Sequence, residues 1–389
     1  MREGWVYKKL GEVCEIRGGA TPLRTNDAFW TNGNIPWFTI DDIREQGKYI
    51  TFTNQKITDA AKEKLYTFPK GTIMLCCTAS LGACSIAKIE LTSNQQFNGL
   101  MIKNREELLE EYLYYFATTL TPILLSLSGK ATINFVSRAK VEKIDIPIPP
   151  LTTQQQIVSE LDLLSHILDQ KRQQLKEYDA LAESIFYDMF GDPVDNPKGW
   201  EICSLDSITD VRDGTHDSPK YLEHSDYILI TSKNIVNGEI SFENINYISE
   251  EDYNNINKRS FVETGDIIMA MIGTIGNPII VKRDRNFCVK NVAIIKFCDA
   301  TKVINIYIKA LLDNASYFKY LTSLNKGGTQ KFVALGTLRK LPIPLPPLDL
   351  QRSFAAKIES IEHQKQLLRA SIKETEMLFQ SRMDYWFNG

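Results

Sequence analysis

Two stretches of the chain carry residues of one stripe at alternating spacings of four and three. The first stripe runs Ile157, Leu161, Leu164, Leu168, Lys171, Leu175, Tyr178, Ala182, Ile185, Met189, and the second runs Phe354, Ile358, Ile361, Lys365, Leu368, Ile372, Thr375, Phe379, Arg382, Trp386. Heptad spacing of this kind predicts a helix that buries one seam against a partner helix. Pro149 and Pro150 end a strand and open the first helix, Gly191 with Pro193 stops it, and Asn388 with Gly389 stops the second. A helix over 152–190 would extend about 58 Å at 1.5 Å per residue, which is a spacer's length. Packing the seams on each other, antiparallel, hides an apolar stripe that each helix would otherwise expose; the alternative is that each helix docks on its own domain alone. Lys171 and Lys365 fit either register-setting polar positions in that seam or solvent-exposed lysines.

The two helices belong to one duplicated unit. Residues 146–192 align without a gap on residues 343–389, 47 positions at an offset of 197, close to half of the 389-residue chain. A repeat of this length predicts two similar halves, each a globular segment followed by a Pro-Pro-initiated helix. Gly4, Trp5, Leu10, Val13, Ile16 and Arg17 answer to Gly199, Trp200, Leu205, Ile208, Val211 and Arg212, and the matches continue at 36–43 with 228–235 and at 71–82 with 265–276. Apolar or β-branched runs at 35–40, 72–77, 227–231, 266–272 and 292–297 predict strands between Gly, Asn, Asp and Pro turns. Helices are expected at 106–120 and 302–324. The fold class expected is α+β: two similar mixed α/β domains at 1–145 and 193–342, and two long helices at 146–192 and 343–389 packed as an antiparallel coiled coil with pseudo-twofold symmetry. That symmetry places Phe387 near Gly4 and Trp5, as Phe190 is near Gly199 and Trp200.

Composition changes this picture little. The chain is 43% hydrophobic and 24% charged, an ordinary globular balance without a membrane-spanning or signal-like apolar run, and it is expected in the cytoplasm. The formal net charge of −3 disfavours a free-standing nucleic-acid binder, so any phosphate-binding surface has to be local. Seven cysteines fit neither a disulfide framework nor a zinc ribbon. Cys76, Cys77 and Cys84 lie among apolar neighbours without a nearby histidine and read as core, and no metal is expected. His166 and His363 occupy equivalent helix positions, and His216 and His224 read as polar loop contacts.

The halves diverge at particular loops while the scaffold agrees. Residues 19–24, with Thr21 and Arg24, face residues 214–220, with Thr215, His216 and Lys220; Asn94, Gln95 and Gln96 fall opposite Lys290 and Asn291. One frame with different side chains suits two readers of different base sequences, since Arg and Lys match guanine and Asn and Gln match adenine in the major groove. Drift in surface loops would also produce differences of this kind. Candidate DNA contacts are Arg17, Thr21, Arg24, Asn26, Ser80, Asn94, Gln95, Gln96 and Asn134 in the first half, and Arg212, Thr215, His216, Lys220, Lys233, Asn234, Thr274, Lys290 and Asn291 in the second. The last loop before each long helix repeats Gly, Lys, Thr and an amide: Lys130, Thr132 and Asn134, then Lys326, Thr329, Gln330 and Lys331. These form either a phosphate clamp or a tight turn leading into core anchors at Phe135 and Phe332.

Two variable segments, each followed by a long helix opened by Pro147-Ile148-Pro149-Pro150-Leu151 with Gln154, or by Pro344-Leu345-Pro346-Pro347-Leu348 with Gln351, resemble the specificity subunit of type I restriction-modification systems. The Gly-Trp openings and the run from Arg212 to Pro219 strengthen the likeness. The resemblance implies two target recognition domains, each reading one half of a bipartite DNA sequence, with the helices setting the unread spacer. It implies two modification subunits that carry S-adenosylmethionine and methylate adenine N6, and motor-nuclease restriction subunits that join them. This chain itself would hold no cofactor. It shows no [ND]PP[FYW] methyltransferase tetrapeptide, P-loop or nuclease carboxylate set, and is expected to be non-catalytic. The alternatives are a specificity chain whose single partner fuses methyltransferase and nuclease, and a coiled-coil scaffold without a DNA role.

Overall fold

The computed structural model describes residues 4–63, 65–129, 134–236, 238–271, 275–297, 302–324 and 333–387. The chain divides into two compact units, residues 1–171 with 371–389, and residues 172–370. Each is built to the same plan.

In the first unit, a sheet runs in the order Cys14–Gly18, Phe97–Ile102, Ile73–Cys76, Cys84–Ala87, Tyr49–Ile50. The second unit repeats four of those strands as Asp210–Asp213, Val292–Lys296, Ile267–Ala270, Gly276–Ile280. A smaller sheet combines antiparallel and parallel neighbours. Ile35–Phe38 lies between Gln55–Ile57 and Thr92–Ser93, as Ile228–Thr231 lies between Asn246–Tyr247 and Phe287–Lys290. A third ladder pairs Val6–Lys9 with Asp145–Ile148, and Glu201–Ser204 with Pro342–Leu345.

The strand Ile73–Cys76 is apolar throughout because both of its faces are covered. Side chains alternate across a strand, so Ile73 and Leu75 join Tyr112, Leu113 and Phe116 in one core while Met74 and Cys76 join Phe38, Phe68 and Phe97 in another. Ile267 and Met269 separate from Ile268 and Ala270 in the same way. Cys14, Cys76, Cys77, Cys84 and Cys288 are buried free thiols, and burial pushes Cys84 up to about 12. The cysteines described here serve as core residues.

The expected strands appear slightly shortened. Of the expected helices, 106–120 appears as Glu110–Thr118, followed after a break by Thr121–Leu127 beyond the expected range, and 302–324 is divided into Asn305–Asp313 and Ala315–Ser323. At the second break, the Asn314 side chain accepts from the Tyr317 amide at 3.1 Å, so a new helix starts where one continuous helix was expected. The helix Glu250–Ser260 lies outside the expected set. Its signal is local: the Ser249 hydroxyl caps the Asp252 amide, with Glu250 to Asp252 in the first turn and Lys258 and Arg259 in the last.

The long helices span Leu151–Phe190 and Leu348–Phe387. Every described position of both predicted stripes is buried or half-buried, with Ile157, Leu161, Leu168, Phe354, Ile361 and Lys365 the most enclosed. Within the first unit the helices run antiparallel: Arg382 forks onto Glu160, and the Lys171 ammonium donates to the Ser371 hydroxyl at 2.8 Å and the Thr375 hydroxyl at 2.7 Å. In the second unit the Lys365 ammonium lies 2.7 Å from both Asp179 and Glu362. The two lysines are therefore partnered seam positions, and the solvent-exposed alternative falls away.

Each Pro-Pro helix is fastened to its own domain by a buried amide. Gln154 is fully buried; its oxygen accepts from the Leu109 amide at 2.9 Å and its nitrogen donates to the carbonyls of Glu107 at 2.8 Å and Pro149 at 2.9 Å. Gln351, also fully buried, accepts from Ile304 at 2.9 Å and donates to Lys302 at 3.5 Å and Pro346 at 2.9 Å. Tyr112 and Tyr307 complete the parallel by donating to the Pro147 and Pro344 carbonyls. Trp5 stacks on Trp386 at 6.4 Å within the first unit, which is where symmetry places the end of the second helix. In the second unit the Trp200 indole donates to the Phe190 carbonyl.

Besides the unmatched strand Tyr49–Ile50, the plan departs where the first long helix meets its domain. In the first unit Lys48 and Tyr115 both hydrogen-bond Asp162 on the long helix, with Tyr49 and Tyr114 against the ammonium. At the matching place in the second unit stand Lys309, Ala310 and Glu359, around a cavity of about 690 Å³.

Candidate nucleic-acid interface

In the first unit four backbone segments converge outside the sheet ends. The Gly19 amide donates to the Phe97 carbonyl at 3.0 Å and the Ala20 amide to Ser93 at 2.8 Å. Cys77 donates to Gln96 at 2.7 Å, Ala79 to Asn134 at 3.0 Å, and Val136 to Cys77 at 2.9 Å. Thr21, Ser80, Gln95, Gln96 and Asn134 are thereby gathered on one set of stitched loops, and Thr21 donates directly to Gln95. A side chain at Gly19 would run into Ser93 and Asn94, and one at Gly214 into Val289 and Lys290. Glycine at this point in both halves lets the first loop close on the second.

Arg24 belongs to the same surface, where its guanidinium lies 3.9 Å from the Trp30 ring and 4.5 Å from Trp37 and donates to Gln55 at 2.9 Å. Such stacking fixes the fork of an exposed arginine. Asn26 caps the short helix Asp27–Phe29 through the Ala28 amide. Arg17 stands apart on its strand, paired with Glu15 and over the Tyr66 ring. Asn94 is buried, and its side chain accepts from the Gln96 amide at 2.9 Å; it shapes the loop that presents Gln95.

The second unit builds its version with different side chains. Thr215 and Asn291 exchange backbone bonds with the facing loop, Thr215 donating to Val289 at 3.0 Å and Asn291 to Thr215 at 3.1 Å. The His216 ring bridges Asn291 at 2.9 Å and Asp213 at 3.0 Å. With an amide oxygen at one nitrogen and a carboxylate at the other, both nitrogens act as donors, which favours imidazolium and raises the His216 pKa above its ordinary value. Lys290 donates to Ser218, and Lys220 is exposed in the same loop. Asp213 and Ser218 were absent from the expected contacts; the Asp-Gly-Thr-His order is the signal that could have found Asp213.

Two expectations need correction. Asn234 is buried, and its oxygen caps Thr231 at 3.0 Å while its amide reaches the Ser241 carbonyl at 3.3 Å. Asp42 does the same for Thr39 in the first unit. Asn234 is therefore a cap and not a surface reader, whereas Lys233 beside it is exposed. Phe135 is not a core anchor: it is 55% exposed while the adjacent Val136 is fully buried, because alternation on the short ladder with Thr78 turns successive side chains opposite ways. Arg212 lies to one side, engaged by Asp210 at 2.6 Å and by the Arg259 carbonyl. Lys130, Thr132, Thr274, Lys326, Thr329, Gln330, Lys331 and Phe332 lie outside the described residues.

The family model for the type I restriction modification DNA specificity domain matches residues 2–177 and again 197–377. The MjaIX type I restriction enzyme specificity subunit of Methanocaldococcus jannaschii is 27% identical, over 94% of this chain and 89% of that protein. The EcoprrI specificity subunit of Escherichia coli is 30% identical over 165 residues, 40% of this chain and 41% of its own. Among solved structures, the S subunit of a type I restriction-modification system from M. genitalium superposes with a TM-score of 0.57 at 13% identity, covering 98% of this chain and 96% of that one. A chain from a structural study of complex assembly and conformational transition in the type I R-M system gives 0.63 at 19% identity, covering 99% and 97%. These structural likenesses are of fold.

Proposed function

Because the chain belongs to the type I restriction-modification DNA specificity family and is a specificity subunit with two recognition domains, we propose that each domain reads one half of a bipartite duplex sequence through the loop cluster described above. The observation that carries this reading is the pairing of a shared frame with different contents. Gly19 and Gly214 seat equivalent loops, yet one cluster presents Thr21, Gln95 and Gln96 and the other Thr215, His216, Lys290 and Asn291. Backbone geometry held constant while donors and acceptors change is what two different base readouts require. The subunit steers chemistry that it does not perform. Its partners are DNA, two modification subunits that bind S-adenosylmethionine and methylate adenine N6, and restriction subunits, all in the cytoplasm. No helix among the described residues is long and apolar enough to cross a membrane.

The test is to reconstitute the chain with its modification subunits and map the methylated adenines on genomic DNA. A two-part sequence is expected. Gln95→Ala with Thr21→Ala should relax one part only, and His216→Ala with Lys290→Ala only the other. Methylation without sequence preference, or methyl transfer by the isolated chain, refutes the reading.

A further inference from the structure

The polar loop residues leave Phe135 without a role. Its ring is exposed, yet the segment that carries it is firmly placed: Thr78 and Phe135 form an antiparallel bridge, flanked by the bonds from Ala79 to Asn134 and from Val136 to Cys77. The register that buries Val136 obliges Phe135 to face outward, onto the rim of an open cleft of about 620 Å³ whose walls include Gly18, Thr78, Gln95, Asn98 and Arg138. The dipeptide recurs as Phe332-Val333 at the repeat offset. Val333 is fully buried like Val136, and its amide donates to the Met271 carbonyl at 3.0 Å as that of Val136 does to Cys77. Phe135 is thus an exposed aromatic whose residue type recurs at the matching sequence position, beside loops whose other side chains differ.

We propose that Phe135 is a sequence-independent apolar contact to DNA, covering the deoxyribose and stacked-base face of the half-site read by the first recognition domain. The inference rests on the reading of this loop cluster as a DNA interface. A residue that differed between the halves could discriminate bases; one that is the same in both suits a part of the duplex common to every sequence. Sugars and stacked bases are that common apolar part, while the amide, hydroxyl and guanidinium groups around the cleft suit base edges and phosphates. The ring sits where those polar groups converge, so base reading and apolar burial occur in the same docked position.

The experiment compares Phe135→Ala and Phe135→Leu in the complete complex with its modification subunits. Binding of Phe135→Ala to all duplexes should weaken about ten-fold, the scale of burying part of one aromatic ring, with Phe135→Leu between it and wild type. The methylated sequence should stay the same, and so should the salt dependence of binding, because no charge is removed. The melting temperature should also hold, because the ring is exposed. Unchanged affinity, altered base preference in the first half-site, or loss of subunit assembly on size exclusion would each overturn the assignment, the last by giving the ring to a protein partner. Failure of the broader reading is separable: it would appear in the wild-type complex, as absence of sequence-specific binding and methylation.

Discussion

Replacing Gln154 with leucine keeps the side chain's approximate volume and removes three hydrogen bonds at once. The Leu109 amide and the carbonyls of Glu107 and Pro149 lose their partner. An unsatisfied buried polar group costs about 1–3 kcal/mol. The bond to Pro149 is fully buried and the other two only partly, and counting all three at the low end gives about 3 kcal/mol as the smallest expected change. The first unit has 190 residues, a size at which 1 kcal/mol moves the melting temperature by roughly 2–4 °C. Its calorimetric transition should therefore fall by roughly 6–12 °C in Gln154→Leu. Gln351→Leu removes the equivalent bonds in the second unit and should lower that unit's transition by a comparable amount. Gln173→Leu, at an exposed position of the first long helix, serves as the control and should change little. A fall for Gln154→Leu no larger than that of the control would refute the idea that this amide holds the helix to the domain.

Three further outcomes follow from the same geometry. The His216 pKa is raised by Asn291 and Asp213, so its contribution to loop order is complete below the unfolded value near 6.5 and is lost as pH rises through the higher folded value; an NMR titration should show the raised midpoint, and Asp213→Asn should lower it. Asp162→Ala releases both Lys48 and Tyr115 and should cost about 1–2 kcal/mol in denaturant unfolding of the first unit, discounted for the half-exposed carboxylate. Burial first, and then Asp162, hold the Tyr115 hydroxyl above its ordinary pKa, so the variant's tyrosine absorbance should titrate at lower pH. Asn234→Ala should lower the melting temperature by roughly 2–4 °C through loss of a buried cap, about 1 kcal/mol, with the target sequence unchanged; a changed sequence would return Asn234 to the readers.

Much of the architecture could be read from the chain because the features concerned are periodic or duplicated. The seam from Ile157 to Met189 sets its own spacing, and its repeat from Phe354 to Trp386 supplies an independent copy. The pairing of Gly4 and Trp5 with Gly199 and Trp200 puts Phe387 near Trp5, and the ring that stacks on Trp5 is its neighbour Trp386. What escaped depends on local competition that hydrophobic spacing does not encode. Asn314 divides a helix because its side chain offers the backbone a cap. Asn234 and Asn94 have the polar chemistry of readers, yet they spend it on backbone amides. Phe135 and Val136 are adjacent apolar residues, and only the bridge to Thr78 decides which of them faces out. The Gln154 and Gln351 amides were visible as motif positions, but their acceptors and donor arise elsewhere in the fold. At the interface, the sequence located the loops; the ring nitrogens of His216 and the stacking of Arg24 needed three dimensions.

The division of the chain also has a consequence in time. Residues 172–370 form one compact unit from a continuous stretch, whereas the other unit joins residues 1–171 to residues 371–389. Met383 lies in that first core, with Phe379, Trp386 and Phe387 packed against it. During synthesis the first recognition domain therefore leaves the ribosome with Tyr112, Phe116 and half of a helix seam uncovered. The missing side chains emerge only after about 200 more residues, a delay of roughly 10–40 s at 5–20 residues per second. The part of the molecule made first is the last to be completed, and any premature stop late in the message leaves it open.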